Sequence, residues 1–179
     1  MLKKVLMAVV VIVAVLLNLV LFIVPSDFRV ERTATMGAPA DAVFTQVNDL
    51  HKWDAWSPWA KLDPDAKVTF AGPDAGKDAA MSWSGNDKVG EGKMTIVESH
   101  PNDAIKIEVN FTKPFEGSIG SEFGFKPNGD NTDVTWAMTG HRTFMEKVFC
   151  LVMNGNKMLS DDIGKGLAQL KAVVEQSKT

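Results

Sequence analysis

Three histidines, one cysteine and a few paired aspartates are the residues of this 179-residue chain whose types invite a search for chemistry. Their spacing supports little of it. His51, His100 and His141 lie far apart, and no HExxH or similar set of converging ligands accompanies them, so no metal is expected. Cys150 sits in an apolar run with no partner in sequence, and there is no CxxC and no GxSxG. Gly85…Gly90-x-Gly92 lacks the GK[ST] of a phosphate loop. Asp63/Asp65 and Asp130/Asp133 are turn chemistry, and Asp161-Asp162 suits a helix start. Tyrosine is absent. The one pair with a claim on acid–base work is His141-Arg142, placed where a strand leaves its sheet, although nothing in sequence positions it. No catalytic signature and no cofactor motif is present.

The apolar residues say more. Trp53, Trp56 and Trp59 surround Ser57-Pro58. They fit either the mouth of a ligand cavity or a packing wedge closing the end of a sheet. Met36, Met81, Met94, Met138, Met145, Met153 and Met158 are numerous enough to suggest adaptable apolar space, or simply a core tolerant of methionine. Gly164 and Gly166 fall inside a helical pattern, where each costs close to 1 kcal/mol relative to alanine. Two reasons fit: room left beneath the helix, or close helix–sheet approach.

Elements that position these residues follow from periodicity. Phe28 to Met36 reads as a strand, and Ala38-Pro39-Ala40-Asp41 opens a helix with Val43, Phe44 and Val47 on one face. The tryptophan segment reads as a short helix and loop. Period two then takes over: Val68/Phe70, Met81/Trp83, Met94/Ile96, Ile105 to Phe111, Ile119 to Phe125, and Val134 to Met138, with turn residues between them. Residues 144–153, FMEKVFCLVM, read as a short helix or a loop packed on the sheet. Helical spacing returns at Leu159, Ile163, Leu167, Leu170 and Val174. Strands flanked by helices imply α+β, with a curved antiparallel sheet of six to seven strands around a long C-terminal helix. The inward set is expected to include Val109, Phe111, Phe123, Trp136, Met138, Ile163 and Leu170.

Residues 5–24 form an uncharged run whose one polar residue is Asn18. As a helix it measures about 30 Å, the depth of a bilayer's hydrocarbon core. It is too long for a signal-peptide core and ends in Val24-Pro25-Ser26, a poor cleavage site. The division expected is therefore a membrane anchor over 1–24 and a folded domain over 25–179. Lys3 and Lys4 abut the run and favour a cytoplasmic N-terminus, with the domain on the periplasmic or extracellular face. Net charge is −3, and without those two lysines the rest is more acidic still, which argues against nucleic acid as a partner.

The element order, Trp53-x-x-Trp56-Ser57-Pro58-Trp59, Trp83-Ser84-Gly85-Asn86…Gly90-Glu91-Gly92, Thr132-Asp133-Val134-Thr135-Trp136 and Gly166-Leu167-x-x-Leu170-Lys171 together resemble the polyketide cyclase/dehydrase and lipid-transport family, of the START-like (SRPBCC) helix-grip superfamily. The resemblance spans 28–177 and implies a hydrophobic cavity between sheet and C-terminal helix. It implies no single activity, since the superfamily holds binders, carriers, cyclases and chaperone cofactors. The ligand-binding residues expected are Trp53, Trp56, Trp59, Met81, Trp83, Val109, Phe111, Phe123, Trp136, Met138, Ile163, Gly166 and Leu170. A tethered module for an apolar small molecule or lipid is the leading function. A cyclase or dehydratase acting by confinement, and a protein–protein module, are the alternatives.

Overall fold

The computed structural model describes residues 3–7, 10–12, 15 and 24–176. Strand β1 (Asp27–Met36) leads to helix α1 (Ala40–Asn48) and a 3₁₀ turn, Leu50–Ala55. Six strands follow: β2 (Lys67–Ala71), β3 (Ala80–Ser84), β4 (Glu91–His100), β5 (Ala104–Lys113), β6 (Gly117–Asn128) and β7 (Asn131–His141). Helices α2 (Phe144–Met153) and α3 (Gly155–Gln176) close the chain. The sheet is a seven-stranded antiparallel meander, β2 to β7, with β1 added beside β7. Helix α3 packs on β1, β7, α1 and the 3₁₀ turn.

Side-chain alternation sets the register. Ile105, Ile107, Val109, Phe123, Phe125, Val134, Trp136 and Met138 are all buried, on the same side as Ile163, Leu167, Leu170 and Val174 of α3. Their polar neighbours Lys106, Glu108 and Asn110 are exposed. The β6–β7 hairpin closes on Asn128↔Asn131, and Gly129 takes the positive φ that a two-residue turn requires. Tryptophan does a second job at α1. A helix leaves its last carbonyls unpaired; here the Trp53 indole donates to the Val47 carbonyl at 2.9 Å and the Trp56 indole to the Gln46 carbonyl at 3.2 Å.

Two expectations need correction, and one open reading is resolved. Val68 and Phe70 alternate with polar residues yet are exposed at 46% and 42%. They lie on the edge strand β2, at the opposite side of the sheet from the strands that α3 covers. The C-terminal helix begins at Gly155, a turn before Leu159, because Asn154 adopts a left-handed conformation that ends α2 there. The run 144–153 is a helix, but it is not packed on the sheet. Met145, Phe149 and Val152 are 71%, 62% and 75% exposed, and the one buried residue of α2 is Lys147. Most of the apolar run 5–24 lies outside the described residues. Among the described residues no helix is long and apolar enough to cross a membrane.

Candidate functional site

The interior beneath the middle of α3 is solid. Trp136 stacks on Phe123 with ring centroids 4.8 Å apart, and Trp53, Trp56 and Trp59 meet it edge-on at 5.7–6.4 Å. Its indole N–H donates to the buried Ser121 hydroxyl at 2.9 Å. A Cβ built on Gly166 would lie 2.5 Å from the Trp136 ring and 3.1 Å from Pro58 Cδ. Gly166 therefore serves close approach of helix to sheet, and the expectation that it leaves room for a ligand is corrected. A Cβ on Gly164 would meet nothing within 4 Å. Trp53, Trp56, Phe123, Trp136, Ile163, Gly166 and Leu170 thus form packed core, with Met138 and Val109 buried at its margin.

The packing loosens toward the other end of the concave face. One cross-strand row there is Met81, Met94, Val109 and Ile119, and the next joins Trp83, Gly92 and Phe111. Met81, Trp83, Met94, Phe111, Ile119 and Trp59 are only half-buried against the core. Trp83 lies over Gly92, whose Cβ would sit 2.5 Å from the ring, and meets Phe111 edge-on at 5.8 Å. Of the methionines, Met145, Met153 and Met158 are on the surface, so the adaptable interior set reduces to Met36, Met81, Met94 and Met138.

At this loose end a groove of about 380 Å³ opens between the sheet, the β5–β6 hairpin and α2. Phe28, Phe111, Phe115, Ile119 and Phe149 supply its apolar walls. Of the residues expected to bind ligand, only Phe111 lines it. Phe28, Phe115, Ile119 and Phe149 were missed, because the groove is made where a hairpin and an inter-helix joint meet. A signal did exist: Phe115 follows Pro114 in a turn, where an aromatic has no core to reach, and it is 79% exposed.

His141 and Arg142 both line the groove. His141 Nδ1 lies 2.8 Å from Asp27 Oδ1, and both side chains are largely exposed. Arg142 is 9% exposed. Its guanidinium sits 4.1 Å from the centroid of the Phe28 ring, and Nη2 donates to Asn156 Oδ1 at 2.6 Å. Nη1 is buried without a hydrogen-bond partner among the described residues. Lys113, on the rim, donates to Glu91 at 2.8 Å; that contact, with the Ser84 hydroxyl, holds the Glu91 carboxyl below its usual range. Cys150 is half-buried in the groove wall, its Sγ 3.9 Å from Asn156 Oδ1. Among the described residues no cluster of His, Cys, Asp and Glu could hold a metal ion. A second cavity, about 130 Å³ beside the edge strand, is lined by Leu50, His51, Phe70 and Pro73, and is small for a ligand.

A curved antiparallel sheet gripping a long C-terminal helix defines an α+β helix-grip protein, here with an apolar groove at the open end of the sheet. The family model described as polyketide cyclase / dehydrase and lipid transport matches residues 27–175, and the chain belongs to that family. Solved structures agree on the fold. TTHA0849 from Thermus thermophilus is 15% identical with TM-score 0.62, covering 85% of this chain and all of its own. The Aha1 dimer from Colwellia psychrerythraea is 13% identical with TM-score 0.57, covering 85% of this chain and 99% of its own. DynU16, from the dynemicin biosynthetic locus, is 13% identical with TM-score 0.57, covering 83% of this chain and 48% of its own. Among curated proteins none matches the sequence significantly.

Proposed function

We propose that this protein is a membrane-tethered helix-grip domain that binds a hydrophobic small molecule or lipid, and that the ligand lies in the groove between the sheet end and α2. The observation that carries the reading is the groove itself: about 380 Å³, walled by aromatic and aliphatic side chains, at the low end of the roughly 300–1,000 Å³ of small-molecule sites. The half-buried residues Met81, Trp83 and Trp59 extend the apolar surface inward and remain part of the proposed binding wall.

Tethering draws on the run 5–24 and on where the chain enters the fold. The Arg142 backbone N–H donates to the Ser26 carbonyl at 2.8 Å, so the chain just past the apolar run is held two residues from α2. Val24 is two residues from Ser26, at most about 7 Å along an extended chain. An anchor ending there places α2 at the bilayer surface. Its outward Met145 and Val152, with Phe115 and Phe149 at the groove's exposed edge, then face lipid rather than water, and the groove opens at the same boundary. The proposed topology keeps the N-terminus cytoplasmic and the domain outside.

Confinement alone does not make an enzyme. A cyclase needs an acid or base aimed at the substrate; His141 borders the groove, but its Nδ1 is engaged by Asp27 at 2.8 Å.

Two results test this reading. The full chain should stay with membranes through alkaline carbonate extraction, and a reporter fused after Thr179 should be active only outside the cytoplasm; release into the supernatant contradicts tethering. In phosphatidylcholine nanodiscs, the methyl ester of a diazirine-bearing hexadecanoic acid should label peptides carrying Phe111, Ile119 and Phe149. Ile119→Trp, which fills the groove from its floor, should cut that labelling at least about tenfold; equal labelling of both proteins rules the groove out.

A further inference from the structure

The groove's one buried charge narrows the ligand. Arg142 is 9% exposed, and no carboxylate of the described residues pairs with it. Its neighbours along the groove are already committed: Lys113 to Glu91, His141 to Asp27, and the Glu146 carboxylate to the Thr143 N–H at 2.6 Å, where it caps α2. Glu116 is exposed on the rim. Phe28 and Asn156 each satisfy part of the guanidinium, on one face and at Nη2, while Nη1, shielded from solvent, has no acceptor among the described residues. Burying a charge without a counter-charge is costly, and a fold that keeps it usually has a partner to bring. Guanidinium is the donor best matched to a planar or tetrahedral oxyanion, because its two nitrogens present parallel N–H groups.

We infer that Arg142, by turning its shielded Nη1 toward the groove it lines, receives the head group of the ligand, and that the ligand is a single-chain amphiphile with an anionic oxygen head, a carboxylate or a phosphate monoester. The apolar walls Phe28, Phe111, Ile119 and Phe149 then hold its chain. A volume of about 380 Å³ suits one chain rather than two, which sets a two-chain phospholipid aside. This inference rests on the proposed function, since it names the ligand of that groove.

The test uses the full chain in phosphatidylcholine nanodiscs with the neutral diazirine ester as probe. Unlabelled hexadecanoic acid, hexadecyl phosphate and hexadecanol compete against it. Hexadecanoic acid or hexadecyl phosphate should displace the probe at a concentration at least about tenfold below that of hexadecanol, and the better of the two identifies the head group. In Arg142→Gln the three competitors should agree within about twofold while the probe still labels the groove. Arg142→Lys, which keeps the charge but loses the fork, should retain part of the selectivity. Equal competition by hexadecanol in the unaltered chain overturns the inference and leaves the proposed function standing, with Arg142 reduced to packing on Phe28. That comparison needs no variant, so it decides even where a substitution prevents folding. Failure of the probe to label the groove at all overturns both.

Discussion

Trp136→Ala is expected to destabilise the domain by about 3–5 kcal/mol, the usual cost of removing a large aromatic from a core. Trp136 is fully buried, stacks on Phe123 and takes edge contacts from three other tryptophans. The space left by the ring cannot be closed by collapse, because the surrounding rings are large and already in contact with one another. The Ser121 hydroxyl, 2% exposed as a residue, would also lose its donor. Chemical denaturation of the full chain in micelles, followed by far-ultraviolet circular dichroism, measures the loss. A cost under about 1 kcal/mol would mean that the region beneath α3 is not packed as described.

Gly166→Leu carries the second large effect. A larger residue gains helix propensity of about 0.8–1 kcal/mol over glycine. Against this, its Cβ would fall 2.5 Å from the Trp136 ring, closer than such atoms approach, so helix or indole must move. Overpacking of this kind costs about 1–3 kcal/mol, and the leucine's further carbons push the result to the upper end. Net destabilisation near 2 kcal/mol is expected, again by denaturation. Gly164→Ala is the contrast: its Cβ meets nothing within 4 Å, so the propensity gain should appear as a stability increase of up to about 1 kcal/mol. If both substitutions stabilise, the helix has room beneath it at Gly166 and the close contact is absent.

Those two glycines show where sequence ran out. A glycine inside a helical pattern signals a special position, but room and contact predict the same letter. Only the placement of Trp136 and Pro58 opposite Gly166 decides between them. Alternation, by contrast, was a direct physical signal: Ile105, Ile107 and Val109 bury one face of β5 while Lys106 and Glu108 do not. The first helix was equally legible, since Pro39 and Asp41 mark its start and Val43, Phe44 and Val47 face inward.

Composition misled at α2. FMEKVFCLVM has the make-up of a core segment, and nothing in its letters says that Met145, Phe149 and Val152 face outward while Lys147 is buried. The groove was illegible for a related reason. Its walls come from β1, β5, the β5–β6 hairpin and α2, so no contiguous stretch of sequence contains it. Of its charged residues, Arg142 was visible as a strand-end candidate beside His141. Its burial without a counter-charge depends on packing against Phe28 and Asn156.

That the groove at the open end of the sheet holds an apolar ligand can be tested without altering a residue. The chain's one cysteine, Cys150, lines that groove. The measurement is the rate at which a small maleimide alkylates Cys150 in the full chain in phosphatidylcholine nanodiscs, with and without saturating hexadecanoic acid. The bound acid is expected to slow alkylation by at least about tenfold, because its chain would lie against the Phe149–Cys150 wall. An unchanged rate under conditions where hexadecanoic acid is bound would contradict it, and would place the ligand elsewhere on the molecule.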